Sequence, residues 1–472
     1  MMTGAVQVKE VDVMTVEQEG GATALTGLTS PTATDGYVDD PFVWSKDDPP
    51  GPQSHELCKR LRQTGCLYHT ADGQMLRLTV GAEPKPINDA TDLEAFIREH
   101  FPVVVLSGGT GTGCMIPPMD LKVLLRSAVL QGMLPVVDRI TEVPTYNSDW
   151  QLTQPGYNDG PDGERMFYTG RRVDPKMTAE RIRQFLDVMA WKSPADKANA
   201  VGLALTVLLR FRWPGQKPFG AITATKSHSG KDTVADFITG TTGKVEVSWS
   251  RSDWPLQNES VSALSNPKIG VLVLGNIRSG TGIIESAFIE RIVTSPKSLM
   301  QSSKRRGDGY ERDGDFVVLA TANNGRFSPD LANRSCPVHL DQHGDINGRV
   351  SPIGDPRNEF LPAHREEIQA ELCGMVERWK DAGCLPDESV KHPMREWSKT
   401  IGGILKANGF EGFLSNWSMQ RNVNDIVRDS IARIAFASPP DTWLRVDALH
   451  KTSEIEGVIG RLMDRSHRES DK

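Results

Sequence analysis

The chain has 472 residues, with 54 Lys and Arg against 61 Asp and Glu and a formal net charge of −7 at neutral pH. This length exceeds one ordinary core and predicts two or three units, while the acidic balance excludes wholesale coating of nucleic acid and leaves room for a local basic site. No apolar run approaches membrane-spanning length and the start lacks a charged-then-apolar secretion signal, so a cytoplasmic protein without membrane contact is expected.

In chain order, residues 1–54 are rich in Thr, Gly, Ser, Pro and acids without periodicity, which predicts a disordered tail and linker. Residues 55–147 predict a small α+β domain. It holds a helix from His55, a hairpin pairing Cys66–His69 with Met75–Val80, a helix over Asp92–Glu99 and a strand over Phe101–Leu106. The six cysteines, Cys58, Cys66, Cys114, Cys336, Cys373 and Cys384, form no C-x-x-C pair and read as reduced, mostly buried thiols. Zinc held by Cys58, Cys66 and His55 or His69 is disfavoured by the loose spacing. Ser107-Gly-Gly-Thr-Gly-Thr-Gly113 imitates a nucleotide loop, but Cys-Met-Ile-Pro-Pro follows it instead of a helix, so a hairpin turn is expected.

Residues 148–350 carry the chemistry. Two helical patterns lie between Arg181 and Phe211, the second apolar on most faces. An apolar strand, Phe219–Thr225, then runs into Thr225-Lys-Ser-His-Ser-Gly-Lys-Asp-Thr233 and a helix opening near Asp232. Strand, loop and helix in that order suit a phosphate-binding loop: backbone N–H groups and the helix N-terminus surround a polyphosphate, and Lys231 brings a mobile charge to its β and γ oxygens. Candidate nucleotide contacts are Ser227, His228, Ser229, Gly230, Lys231, Asp232 and Thr233. Thr225 stands where the motif has its first glycine, and Asp232 where it has a hydroxyl. Asp232 either repels phosphate or caps the helix and holds Mg²⁺ through water, and Thr233 is the candidate metal contact. An ordinary strand–turn–helix with a coincidental Gly-Lys fits the same residues.

Two further apolar runs, Pro267–Asn276 and Phe316–Asn324, predict parallel strands buried on both faces. The first ends in Gly275-Asn276 without an acid; the Asn276 amide can hydrogen-bond a metal-bound water but brings no negative charge. Glu285 is the candidate substitute. Asn323 is either a polar sensor of the γ-phosphate or, with Asn324 and Gly325, a strand-closing turn. Arg334, at a helix end before another strand, either reaches the γ-phosphate of a neighbouring subunit or is a cation favoured at a helix C-terminus. Between the two strands, Lys304-Arg-Arg-Gly-Asp-Gly-Tyr-Glu-Arg312 is the candidate DNA contact, with charge from Lys304, Arg305 and Arg306 and stacking from Tyr310. A solvated hairpin tip is the alternative. Residues 351–472 predict a helical C-terminal lid with helices at His364–Ala382, Met394–Asn408, Ile426–Ala437 and near Ile455–Met463.

From Ser148 to Asn416 these segments, together with Pro155-Gly-Tyr-Asn-Asp-Gly, Trp397–Lys406 and Gly409–Asn416, resemble the AAA+ ATPases of phage, plasmid and prophage primase–helicase proteins, which are related to superfamily 3 helicases. The resemblance implies an α/β P-loop core, a parallel sheet sandwiched by helices, binding ATP and Mg²⁺. It also implies a homo-oligomeric, hexamer-like ring on single-stranded or forked DNA. Lys231 then looks like the phosphate lysine, Asn323 the first sensor and Arg334 the arginine finger or sensor. The family's strand usually ends in an acid where this chain has Gly275-Asn276. The implied function is a DNA-dependent ATPase, a primase-associated replicative helicase-like protein of a mobile element. No acidic cluster suited to nucleotidyl transfer is apparent, so priming is expected from a separate primase. A nucleotide-binding but hydrolysis-deficient DNA-binding or regulatory subunit is the alternative. A small-molecule kinase is a third, disfavoured by the long lid and the Asn–Arg pair.

Overall fold

The structure, a computed structural model, describes residues 40–417 except 72, 162–163, 227, 251, 279–282, 301–309, 324 and 343–350, together with 434–438, 445 and 448. The first strand, β1 (Phe42–Ser45), precedes α1 (Pro50–Gln63), β2 (Leu67–His69), β3 (Met75–Arg77), β4 (Lys85–Ile87), α2 (Ala90–His100), β5 (Val103–Ser107), β6 (Thr110–Gly113), α3 (Pro118–Leu125) and α4 (Ala128–Met133). β1 lies parallel to β5, which turns back into β6, while β2, β3 and β4 form an antiparallel meander. Phe42, Trp44, Leu57, Cys58, Leu61 and Phe96 share one buried cluster, and burial pushes the Cys58 thiol up to about 11.

This corrects the expected tail, because β1 and the first turn of α1 lie inside residues 1–54. The local reason is plain: Phe42 and Trp44 alternate with exposed positions, and proline is tolerated in the first turn of α1, where a missing N–H costs no helical bond. The glycine-rich stretch is the β5–β6 hairpin, with Gly108 and Gly109 at φ 58° and 77°. A small sheet of β7 (Arg139–Thr141), β9 (Arg165–Tyr168) and β8 (Gly156–Asp159), in that order, straddles the boundary expected at residues 147/148.

Next come α5 (Glu180–Val188) and α6 (Pro194–Leu208), then β10 (Phe219–Ala224), α7 (Lys231–Thr239), β11 (Gly243–Ser248), α8 (Asp253–Leu264) and β12 (Ile269–Arg278). β13 (Ile283–Ile284), α9 (Ala287–Thr294), β14 (Lys297–Met300) and β15 (Tyr310–Asp313) lead to β16 (Val317–Asn323), β17 (Arg326–Phe327), α10 (Pro329–Asn333) and β18 (Ser335–Leu340). Five strands form one parallel sheet in the order β11-β12-β16-β10-β18. β12, β16, β10 and β18 are near-continuous apolar runs because both faces are covered, whereas β11 at the edge is mostly exposed. Ile222, Val271, Val273 and Leu319 pack with α6 and α7 on one face; Ala221, Leu272, Leu274 and Val318 pack with α8 and α9 on the other.

A π-helical turn (Pro356–Phe360) enters α11 (Leu361–Asp381), and α12 (Arg395–Ala407) follows. These helices do not stand apart as a lid. Leu372, Val376, Trp397, Ile401 and Leu405 share the cluster of α5 and α6, and the Trp397 Nε1–H donates to Thr206 Oγ1 of α6 at 2.8 Å. The apolar stripes of both helices are buried against the core's own helices. The expected helix at Ile426–Ala437 is described only at 434–437, and the one near Ile455–Met463 lies outside the described residues. No helix of the described residues is long and apolar enough to cross a membrane.

β14 and β15 pair as an antiparallel hairpin. Its base is tied to the sheet: fully buried Lys217, just before β10, donates from Nζ to the carbonyls of Trp213 (2.9 Å) and Gly314. Arg312 donates to the Leu264 and Ile269 carbonyls, both at 2.6 Å, at the end of α8 and the start of β12.

Candidate functional site

Six residues, 225–230, connect β10 to α7, whose first residue is Lys231. Gly230 adopts a left-handed conformation (φ 84°), and a Cβ there would lie 2.7 Å from the Met189 Cε, so the loop needs glycine for backbone and space alike. His228 also has positive φ (60°). Buried Ser229 donates its hydroxyl to the Lys226 carbonyl at 2.7 Å, so its side chain serves the loop's own shape. Thr225 spends its hydroxyl on Asp341 at the end of β18, at 3.2 Å. Ser227 lies outside the described residues.

β10 and β16 are parallel neighbours, and their register sets Ala224 opposite Asn323. That register brings the Lys231 Nζ to 2.6 Å from the Asn323 Oδ1. Burial holds the half-buried Lys231 ammonium below its ordinary value, with Asp232 opposing. A partly desolvated cation at a helix N-terminus, held by a neutral amide instead of a carboxylate, is well placed to exchange its partner for an anion.

Asp232 does not cap α7. It is exposed and faces Arg357 of the π-helical turn, whose Nη1 lies 3.8 Å from its Oδ2 and whose Nε donates to Asp236 at 2.8 Å. Thr233 occupies the first turn of α7 and is partly exposed. Asn276 has its backbone in β12, at a bulge. Glu285 is exposed between β13 and α9, elements that pack on the face opposite α7.

Arg334 follows α10 and pairs with Asp330 at 3.4 Å. It lies at the start of β18, and its carbonyl accepts from the Phe219 N–H at the start of β10. The phosphate-loop candidate leaves the other end of β10, roughly 17 Å away along the strand. A sensor within its own subunit is therefore out of reach, while the helix C-terminal cation and a contact across a subunit boundary both fit this position. Lys304, Arg305 and Arg306 lie outside the described residues, and Tyr310 is described only as the first backbone position of β15.

Sequence reasoning missed the polar network beside the loop. Thr223 bonds His339 on β18, the His339 N–H donates to Asp196 Oδ1 at 2.8 Å, and Asn416 donates to the same oxygen at 2.8 Å. Burial lowers the His339 imidazole and raises the Asp196 carboxyl. It also missed Arg357, although the Asp232/Asp236 pair one helical turn apart signals a cation. Among the described residues, no group of three His, Cys, Asp or Glu side chains is arranged to hold a metal.

No protein-family model matches the chain, and no curated protein matches it. Among solved structures it is similar to the apo A form of the NrS-1 C-terminal region, at 9% identity and TM-score 0.44 over 85% of each chain. It is also similar to the SCCmec type IV Cch active helicase, at 10% identity and TM-score 0.36 over 81% of this chain and 80% of that one. JCV helicase aligns at 15% identity and TM-score 0.24 over 52% and 71%. At these scores the likenesses establish neither a shared fold nor a shared activity.

Proposed function

We propose that this chain is a P-loop ATPase of AAA+ type that binds ATP with Mg²⁺ and works on DNA as a homo-oligomeric ring, in the manner of a mobile-element replicative helicase beside a separate primase. The observation that carries the reading is the Lys231–Asn323 contact at 2.6 Å, which joins the end of the phosphate loop to the end of the neighbouring strand. In this reading Lys231 meets the β and γ phosphates, Thr233 meets the metal, Asn323 positions the attacking water and Arg334 acts on the neighbouring subunit's nucleotide. The β14–β15 hairpin tracks the DNA backbone, with Lys304, Arg305 and Arg306, which lie between its two strands in sequence, and Tyr310 as the contacting residues.

A second reading, a nucleotide-binding subunit that does not hydrolyse, is favoured by Gly275 in β12, at the position where the resemblance leads one to expect an acid. Purified protein assayed for ATP binding and hydrolysis with and without single-stranded DNA separates the two. DNA-stimulated turnover is expected, with Lys231→Ala weakening nucleotide binding about 10- to 100-fold, as suits loss of a charge-assisted contact. Tight binding without turnover selects the second reading, and absence of binding overturns both.

A further inference from the structure

Gly275, three residues before the last residue of β12, has a carboxylate over it, supplied by the next strand. Glu246 lies on β11, opposite Val273 in the parallel register. Its neighbours Val245 and Val247 pack with the α8 cluster, whereas Val273 is buried with Val234 and Phe237 of α7. Strand alternation thus sets Glu246, Val273 and Gly275 on the face that carries α7 and Lys231. From there the Glu246 side chain leans across to β12. A Cβ built on Gly275 would lie 3.3 Å from its Cγ and 3.1 Å from its Cδ, and would collide with Oε1.

The space that an aspartate on β12 would fill is therefore occupied by a carboxylate from β11, and glycine is what leaves it room. The backbone agrees with the displacement. Between the pairs Leu274–Ala320 and Ile277–Ala322, two residues of β12 oppose one of β16, a bulge of the kind that re-aims side chains beside active sites. Glu246 is exposed, and its carboxylate lies within electrostatic reach of Arg357, the cation that also faces Asp232 and Asp236 of α7.

We infer that Glu246 is the metal-orienting carboxylate of this site, accepting hydrogen bonds from the water shell of a nucleotide-bound divalent cation in place of the missing acid at Gly275. The inference rests on the ATPase reading above. It gives the charge to Glu246 instead of Glu285, whose flanking elements pack on the far face of the sheet.

The test titrates Mn²⁺ into the full chain holding a non-hydrolysable ATP analogue, followed by electron paramagnetic resonance, with metal-free nucleotide binding measured in parallel. Glu246→Gln is expected to weaken Mn²⁺ binding about 10-fold or more, the usual loss when an outer partner of a metal site is removed, and to leave metal-free nucleotide binding intact. The double change Glu246→Gly with Gly275→Asp returns a carboxylate to the same space and is expected to recover most of the affinity. Unchanged Mn²⁺ binding in Glu246→Gln, or a loss seen in Glu285→Gln instead, overturns the assignment and spares the ATPase reading. Failure of the unaltered chain to bind nucleotide at all overturns both.

Discussion

The Lys231 ammonium donates to the side-chain oxygen of Asn323 across the gap between β10 and β16, at 2.6 Å. In the proposed function a nucleotide phosphate takes the ammonium from that amide, which links binding to the position of Asn323. Asn323→Ala removes the competing acceptor and leaves Lys231 free for phosphate. Nucleotide affinity is expected to stay at or above that of the unaltered chain, while turnover falls roughly 100-fold through loss of a preorganised polar group. Equilibrium binding of a fluorescent nucleotide alongside steady-state hydrolysis checks both halves.

Arg334 sits at the opposite end of β18 from the phosphate-loop candidate, so its effect should cross between subunits. Arg334→Ala alone is expected to bind nucleotide normally and to lose about 10³-fold in turnover. Mixing it with Lys231→Ala, itself inactive, should restore measurable hydrolysis at interfaces that pair an intact Lys231 with an intact Arg334. A mixture no more active than its parts would remove the arginine from the mechanism.

His392 predicts an acid-sensitive core. Its ring is buried against Trp397 and Trp417, and Nδ1 accepts the Met394 N–H at 3.1 Å. Burial lowers its pKa from 6.5 to about 4. Between those values the unfolded chain holds a proton that the folded chain does not, so stability falls as pH drops through this window, by at most about 1.4 kcal/mol per pH unit. Urea unfolding at about pH 7 and about pH 5 should show that loss for the unaltered chain and a smaller one for His392→Phe, whose ring cannot take up the proton.

What the sequence made legible were local patterns. Phe219–Ala224, the Gly230-Lys231 step and the apolar runs of β12 and β16 each carry their meaning within a few residues, and their order anticipated a parallel α/β core. The position of Arg334 between a helix and a strand was readable too. Which end of the sheet it occupies was not, because that depends on the β10–β18 register. Asp232 was ambiguous for the same kind of reason: its partner Arg357 lies far along the chain and meets α7 only through tertiary packing. Glu246 and Gly275 are joined by a crossover through α8, and nothing local in either strand reveals that one side chain covers the other. The burial of α11 and α12 against α6 was hidden because an amphipathic stripe specifies that it is covered and leaves open by what.

The base of the β14–β15 hairpin has no slack. Lys217 fastens it to the lead-in of β10, and Arg312 fastens it to the head of β12. In the proposed function, a load on the hairpin therefore reaches the sheet through fixed hydrogen bonds at the N-terminal ends of its strands. The two strands gripped there, β10 and β12, run on to the phosphate-loop candidate and to Gly275 under the Glu246 side chain.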